Sequence, residues 1–255
     1  MPIFDNNKIM EHFTLTSTYK NFLKVYSLNV STLSKSISCG KEKGRYKLVE
    51  FMRSAVCDSK QSEIISDVVA RQMKLLLSYL KFTKEKKVLV VGLGNPDIVA
   101  DSFGPLVIKY LSGQLSCMSA LPKTYLISPD IKEKTGFETF DVVDLLAQSE
   151  NVDLIIVVDT LSTESENRIA TSIQLSTTGI KPGGGVGSNK KRLSPEYLSA
   201  ACLSIGIPLM SVKNSNTASY ITTLANIDLA ARKCAKIVAK SIAIALYGKG
   251  CKFDI

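Results

Sequence analysis

From Lys87 onward the chain alternates short, near-continuous apolar runs with stretches whose apolar positions recur every three or four residues. KVLVVGL (87–93) and DLIIVVD (153–159) are unbroken and rich in β-branched residues, the pattern of strands covered on both faces. TYLIS (124–128), TSIQLS (171–176) and GIPLMSV (206–212) read as further strands. Helices are expected over Phe103 to Leu111, Phe137 to Ala147 and Pro195 to Leu203, with a long last one from about Thr222 to Tyr247, stopped by Gly248. Before this region, Ile65, Val68, Val69, Leu76 and Leu80 fall at helical spacing between Ser62 and Leu80. Residues 1–55 are polar and read as an irregular N-terminal extension, leaving 56–255 as one α/β hydrolase-like domain. Strands alternating with helices predict a three-layer α/β sandwich around a mostly parallel or mixed sheet, of the phosphorylase/hydrolase-like kind.

Two carboxylates fall where such folds place ligands, outside the carboxyl ends of the strands. Asp159 closes one apolar run, and Asp101 lies in the loop after another. That loop, in VLVVGLGNPDIVADSFGPLV (88–107), admits four readings. As a dinucleotide turn it has Gly92 and Gly94 but Asp97 in place of the third glycine. VGLGNPD also resembles the opening turn of peptidyl-tRNA hydrolase, but the His-bearing segment that should follow is replaced by IVADSFGP. A purely structural turn is the third reading, with Asp101 capping the helix near Phe103. The fourth is an aspartic pair, in which one carboxyl keeps its proton while the other activates water.

Composition narrows the chemistry. The 255 residues contain a single histidine, His12, remote from every glycine motif, and no GxSxG elbow. A Ser-His-Asp or Cys-His relay is therefore hard to build, and acid-base work falls to carboxylates, Lys, Tyr or Cys. Six cysteines without CxxC pairing read as reduced thiols and not as a metal site. No cofactor and no metal are expected. The net charge of +9 is spread along the chain as solvated faces, so direct nucleic-acid binding is not expected. No apolar run reaches the roughly 20 residues of a membrane span, and no signal pattern opens the chain. A cytoplasmic protein without membrane contact is expected.

Several ordered blocks resemble the germination protease of bacterial spores. They are GKEKGRYKLVE (40–50), GLGNPDIVADSFGPLV, KTGFETFDVV (134–143), LIIVVDTLST (154–163) and TSIQLSTTGIKPGGGVGSNKKRLS (171–194). The resemblance covers roughly residues 40 to 247 and implies an endopeptidase that degrades small acid-soluble spore proteins in the spore core. It places the family's essential aspartates on Asp101 and Asp159. The family is a zymogen with a self-cleaved N-terminal prosegment, which has no clear counterpart in residues 1–39; the extension 1–55 is at most its vestige, and homo-oligomerisation is left open. The alternatives are an inactive relative that binds spore proteins, or a nickel-dependent protease like the hydrogenase maturation endopeptidases, a distant fold relation. Supporting roles fall to Asn95, which would orient Asp101 or donate to an oxyanion, and to Glu138, either a third acid or a helix-start charge. Gly183, Gly184 and Gly185 would hold extended substrate by main-chain bonds, and Lys190, Lys191 and Arg192 would attract its acidic segments.

Overall fold

Nine strands form one mixed sheet in the computed structural model, which describes residues 7–115, 121–181, 191–214 and 219–249. In chain order the elements are α1 (Asn7–Met10), β1 (Thr14–Tyr19), β2 (Leu23–Val30), α2 (Leu33–Cys39), β3 (Gly44–Phe51), α3 (Ser59–Tyr79), β4 (Val88–Gly92) and α4 (Phe103–Leu115). There follow β5 (Thr124–Ile127), α5 (Lys132–Thr135), α6 (Thr139–Ser149), β6 (Leu154–Thr163), β7 (Ser172–Ser176), β8 (Ala201–Asn214), β9 (Ser219–Thr222) and α7 (Ile227–Tyr247). The strand order is β1-β2-β3-β7-β8-β6-β4-β5, and β9 adds to the far end of β8. β8, β6, β4 and β5 run parallel; the remaining pairings are antiparallel.

Strand geometry explains why the apolar runs are covered on both faces. Side chains alternate between faces, so Val88, Val90, Leu154, Ile156 and Val158 enter one core while Leu89, Val91, Ile155 and Val157 enter another. α3, α4 and α7 cover the first face; α6 covers the second over β4 and β6. A third cluster, around Leu28, Val30, Tyr46 and Leu48, closes the second face at the antiparallel end. The result is the expected three-layer sandwich.

Two expectations need correction. The described part of 1–55, residues 7–55, is not irregular: β1, β2 and β3 continue the sheet, with β3 paired to β7 from Tyr46↔Ser176 to Glu50↔Ser172. Their apolar residues were legible only as isolated positions, because Ser, Thr, Lys and Tyr fill the alternate, wetter face. The helix expected at Pro195 to Leu203 is also absent. One turn at Ser194–Leu198 leads into β8, where Leu203, Ile205, Ile207 and Leu209 all face the first core at period two. α7 begins at Ile227, later than expected, and Thr222 is the last residue of β9.

Among the described residues Cys39, Cys57, Cys202 and Cys234 are free thiols, and only Cys57 is exposed. Burial pushes the Cys202 and Cys234 thiols up to about 12. Since the thiolate is the nucleophile, iodoacetamide at pH 8 is expected to label Cys57 in the native protein. Cys39, Cys202 and Cys234 should label only after denaturant is added; peptide mass mapping reads the difference, and native labelling of Cys234 would contradict this packing.

Candidate functional site

β4 connects outward through α4 to the edge strand β5, whereas β6 leads away toward β7 and β8. The strand order therefore reverses between β4 and β6, the position where open α/β sheets bind ligands. β4 ends at Gly92, opposite Val158, and the N–H of Leu93 still reaches the Val158 carbonyl at 2.8 Å. Asp159 is the next residue. β6 runs on beside β8 to Thr163, so Asp159 lies inside a strand and not at its end. What ends there is its neighbour. The loss of β4 opens one side of β6 at the aspartate, which is 7% exposed.

Asp101 arrives from the loop after β4. It closes a single 3-10 turn, Val99–Asp101, that comes within 8 Å of β6, Cα to Cα. The chain reaches that position through a backbone-on-backbone contact that only glycine allows. A Cβ on Gly104 would lie 2.2 Å from the Leu93 carbonyl oxygen, and one on Gly92 would lie 2.3 Å from the Gly104 carbonyl oxygen. Gly94 turns at φ +118, with the Asp101 carbonyl oxygen 2.0 Å from where its Cβ would stand. Within this turn the N–H of Asn95 donates to the Asp101 carboxylate at 2.8 Å. Asn95 itself is buried, and its Oδ1 accepts from the Asp97 N–H at 3.0 Å and from the Lys134 ammonium at 2.7 Å.

The other expected site residues fall in two places. Glu138 directly precedes α6 and pairs with Lys132 on α5. Lys191 lies over the Phe140 ring at 5.1 Å, and Arg192 pairs with Glu42. Both line a cleft of about 560 Å³ bounded also by Asp144, Lys181, Glu196 and Tyr197. The basic run is thus partly engaged by the fold, and is not simply a solvated face. Gly183, Gly184, Gly185 and Lys190 lie outside the described residues. On either side of that segment, Ile180 and Leu193 exchange mutual backbone bonds of 2.9 Å.

Two residues at the site were not singled out by the sequence alone. Lys134 is one; its ammonium also meets Asp97 and, at 3.5 Å, Asp130. The Asp97 carboxylate beside Lys134 holds its ammonium above the ordinary lysine range, with Asp130 adding to the effect. Gln174 is the other. Register places Gln174, Gly206 and Asp159 in one row across β7, β8 and β6. Alternation sends Gln174 and Asp159 to the same face, with only a glycine between them. A polar residue within the buried strand β7 was the available clue. Among the described residues no group of three His, Cys, Asp or Glu side chains is placed to hold a metal ion.

The fold and site define a three-layer α/β protein with acidic side chains at its topological switch point. The chain belongs to the germination protease family, whose sequence model matches residues 4–243. It is 33% identical over 197 residues to the germination protease of Bacillus velezensis, covering 74% of this chain and 53% of that protein. To the Bacillus subtilis germination protease it is 30% identical over 194 residues, covering 73% and 52%. The chain therefore spans about half the length of these relatives. Among solved structures it is similar to a [NiFe] hydrogenase maturation protease HycI from Thermococcus kodakarensis. That match has a TM-score of 0.41 at 19% identity, over 65% of this chain and 97% of the other. A hydrogenase 2 maturation peptidase from a Thaumarchaeota archaeon matches at a TM-score of 0.35 and 17% identity, over 62% and 99%. No helix among the described residues is long and apolar enough to cross a membrane.

Proposed function

We propose that this chain is an endopeptidase of spore germination that cuts small acid-soluble spore proteins in the spore core, with Asp101 and Asp159 as the working pair. The observation that carries the reading is the arrival of both aspartates at the β4/β6 switch point, one on the loop after β4 and one where β4 ceases to cover β6. Membership of the germination protease family supports it.

Their surroundings suggest a division of labour. An N–H directed at a carboxylate favours its charged form, and Asp101 has that from Asn95. Burial disfavours charge, and Asp159 is the more enclosed of the two. In this scheme Asp101 takes a proton from water as the water attacks the peptide carbonyl carbon. Asp159 first donates to the carbonyl oxygen, and the proton gathered by the pair leaves on the amine. Substrate would enter from the open side of β6, past the cleft that holds Lys191 and Arg192.

The test is digestion of a purified small acid-soluble spore protein by the purified chain, with and without EDTA, followed by mass spectrometry. Discrete fragments at the same rate in both arms are expected. Activity lost with EDTA and restored by nickel would replace this mechanism with the metal-dependent one. Binding of the spore protein without cleavage would make the chain a binding relative.

A further inference from the structure

The turn that carries Asp101 is held from outside by a residue 39 positions later in the chain. Asn95 has a carboxamide with two chemically distinct ends. An oxygen accepts and a nitrogen donates, so the neighbours of a buried Asn decide which end faces which way. Here both neighbours on one side are donors: the Asp97 N–H at 3.0 Å and the Lys134 ammonium at 2.7 Å. A carboxamide flipped about its axis would set its NH₂ group against an ammonium and an N–H, with no acceptor on either. The oxygen is therefore fixed toward Asp97 and Lys134. Nδ2 consequently points away from both of these donors. It is a fixed donor on a residue only 7% exposed, the same residue whose backbone N–H meets Asp101.

We propose that Lys134 is a positioning residue, its ammonium locking the Asn95 carboxamide so that Nδ2 is presented to the carbonyl oxygen of the peptide bond being cut. The inference rests on the endopeptidase reading above and adds to it a residue that touches substrate, Asn95, and one that acts through it, Lys134. Donors set in advance at the place where charge develops are worth most when they need no reorganisation during reaction. Lys134 provides that preorganisation from α5, and its own place is fixed by Asp97 and Asp130. The glycine at φ +78 that ends α5, Gly136, turns the chain directly toward Glu138 and α6. The KTGFET block is thus joined to the GLGNPD block through a single ammonium.

The experiment compares the parent, Lys134→Met, Lys134→Arg, Asn95→Ala and the double variant Lys134→Met/Asn95→Ala on one spore-protein substrate, with thermal melts run alongside. Lys134→Met is expected to lower kcat roughly tenfold with KM within about twofold, the pattern of a lost transition-state contact. Lys134→Arg should recover most of the loss, since it restores a cationic donor. Asn95→Ala should be at least as severe, and the double variant no worse than Asn95→Ala alone, because Lys134 acts through that one carboxamide. Losses that multiply in the double variant would show that Lys134 acts elsewhere and would overturn the proposal, as would a Lys134→Met protein with parental kcat. An effect tracking a fall in melting temperature and not rescued by arginine would make Lys134 merely structural. A parent that cuts nothing would sink the endopeptidase reading itself and this inference with it, a result distinct from an active parent indifferent to Lys134.

Discussion

Asp159→Asn is expected to slow spore-protein cleavage by roughly a thousandfold, about 4 kcal/mol in the barrier, while leaving the protein folded. The change is nearly isosteric and removes an ionisable group from an enclosed position, so no loss of packing accompanies it. On the mechanism proposed above, what it removes is the proton that the carboxyl exchanges with substrate, and an amide at that position neither gives nor takes one at neutral pH. Asp101→Asn should be comparably severe, and the two together no worse than either alone, because a proton shared by a pair is lost with either member. Steady-state kinetics with a matched thermal melt decides the matter. An Asp159→Asn protein that cuts within tenfold of the parent would remove this residue from the chemistry.

The second large effect is on stability, and a single helix supplies its own control. Gly104→Ala, in the first turn of α4, is expected to lower the unfolding free energy by about 3 kcal/mol or to prevent folding. A Cβ there would meet the Leu93 carbonyl oxygen at 2.2 Å, the Leu93 nitrogen at 2.5 Å and the Gly92 carbonyl carbon at 2.7 Å. All three are backbone atoms, and no side chain can rotate away to relieve them. Gly113→Ala, later in the same helix, meets nothing within 4 Å and should stabilise by about 0.5–1 kcal/mol through helix propensity alone. Urea denaturation followed by circular dichroism would show the two midpoints moving in opposite directions. Equal shifts would mean that α4 does not pack against the end of β4 as closely as described. Because that packing aims the loop bearing Asp101, a folded remnant of Gly104→Ala should also lose cleavage out of proportion to its stability.

Much of this arrangement is written locally. Val88–Val91 and Leu154–Val158 carry enough consecutive β-branched and aliphatic residues that no other element accommodates them, and the sheet's centre follows. Gly92, Gly94 and Gly104 frame an acidic residue in one short span, so the loop after β4 is legible as a site before any contact is known. β1 to β3 and the first half of β8 are less so. Amphipathic strands of Ser, Thr and Tyr give a weak period of two, and Pro195 to Leu203 supplies apolar residues at spacings compatible with a helix until Ala201 pairs with Leu154.

The chain by itself thus determined the strand centres, the glycine turn and the two carboxylates proposed here as the working pair, because each depends on residues close together in sequence. Tertiary structure alone decided that β4 stops where Asp159 begins, that Gln174 and Asp159 share a row across Gly206, and that Lys134 meets Asn95. These depend on pairing and register between segments dozens of residues apart. A strand's register is set by cooperative burial of whole faces, and no local pattern encodes which partner a lone lysine or glutamine will meet.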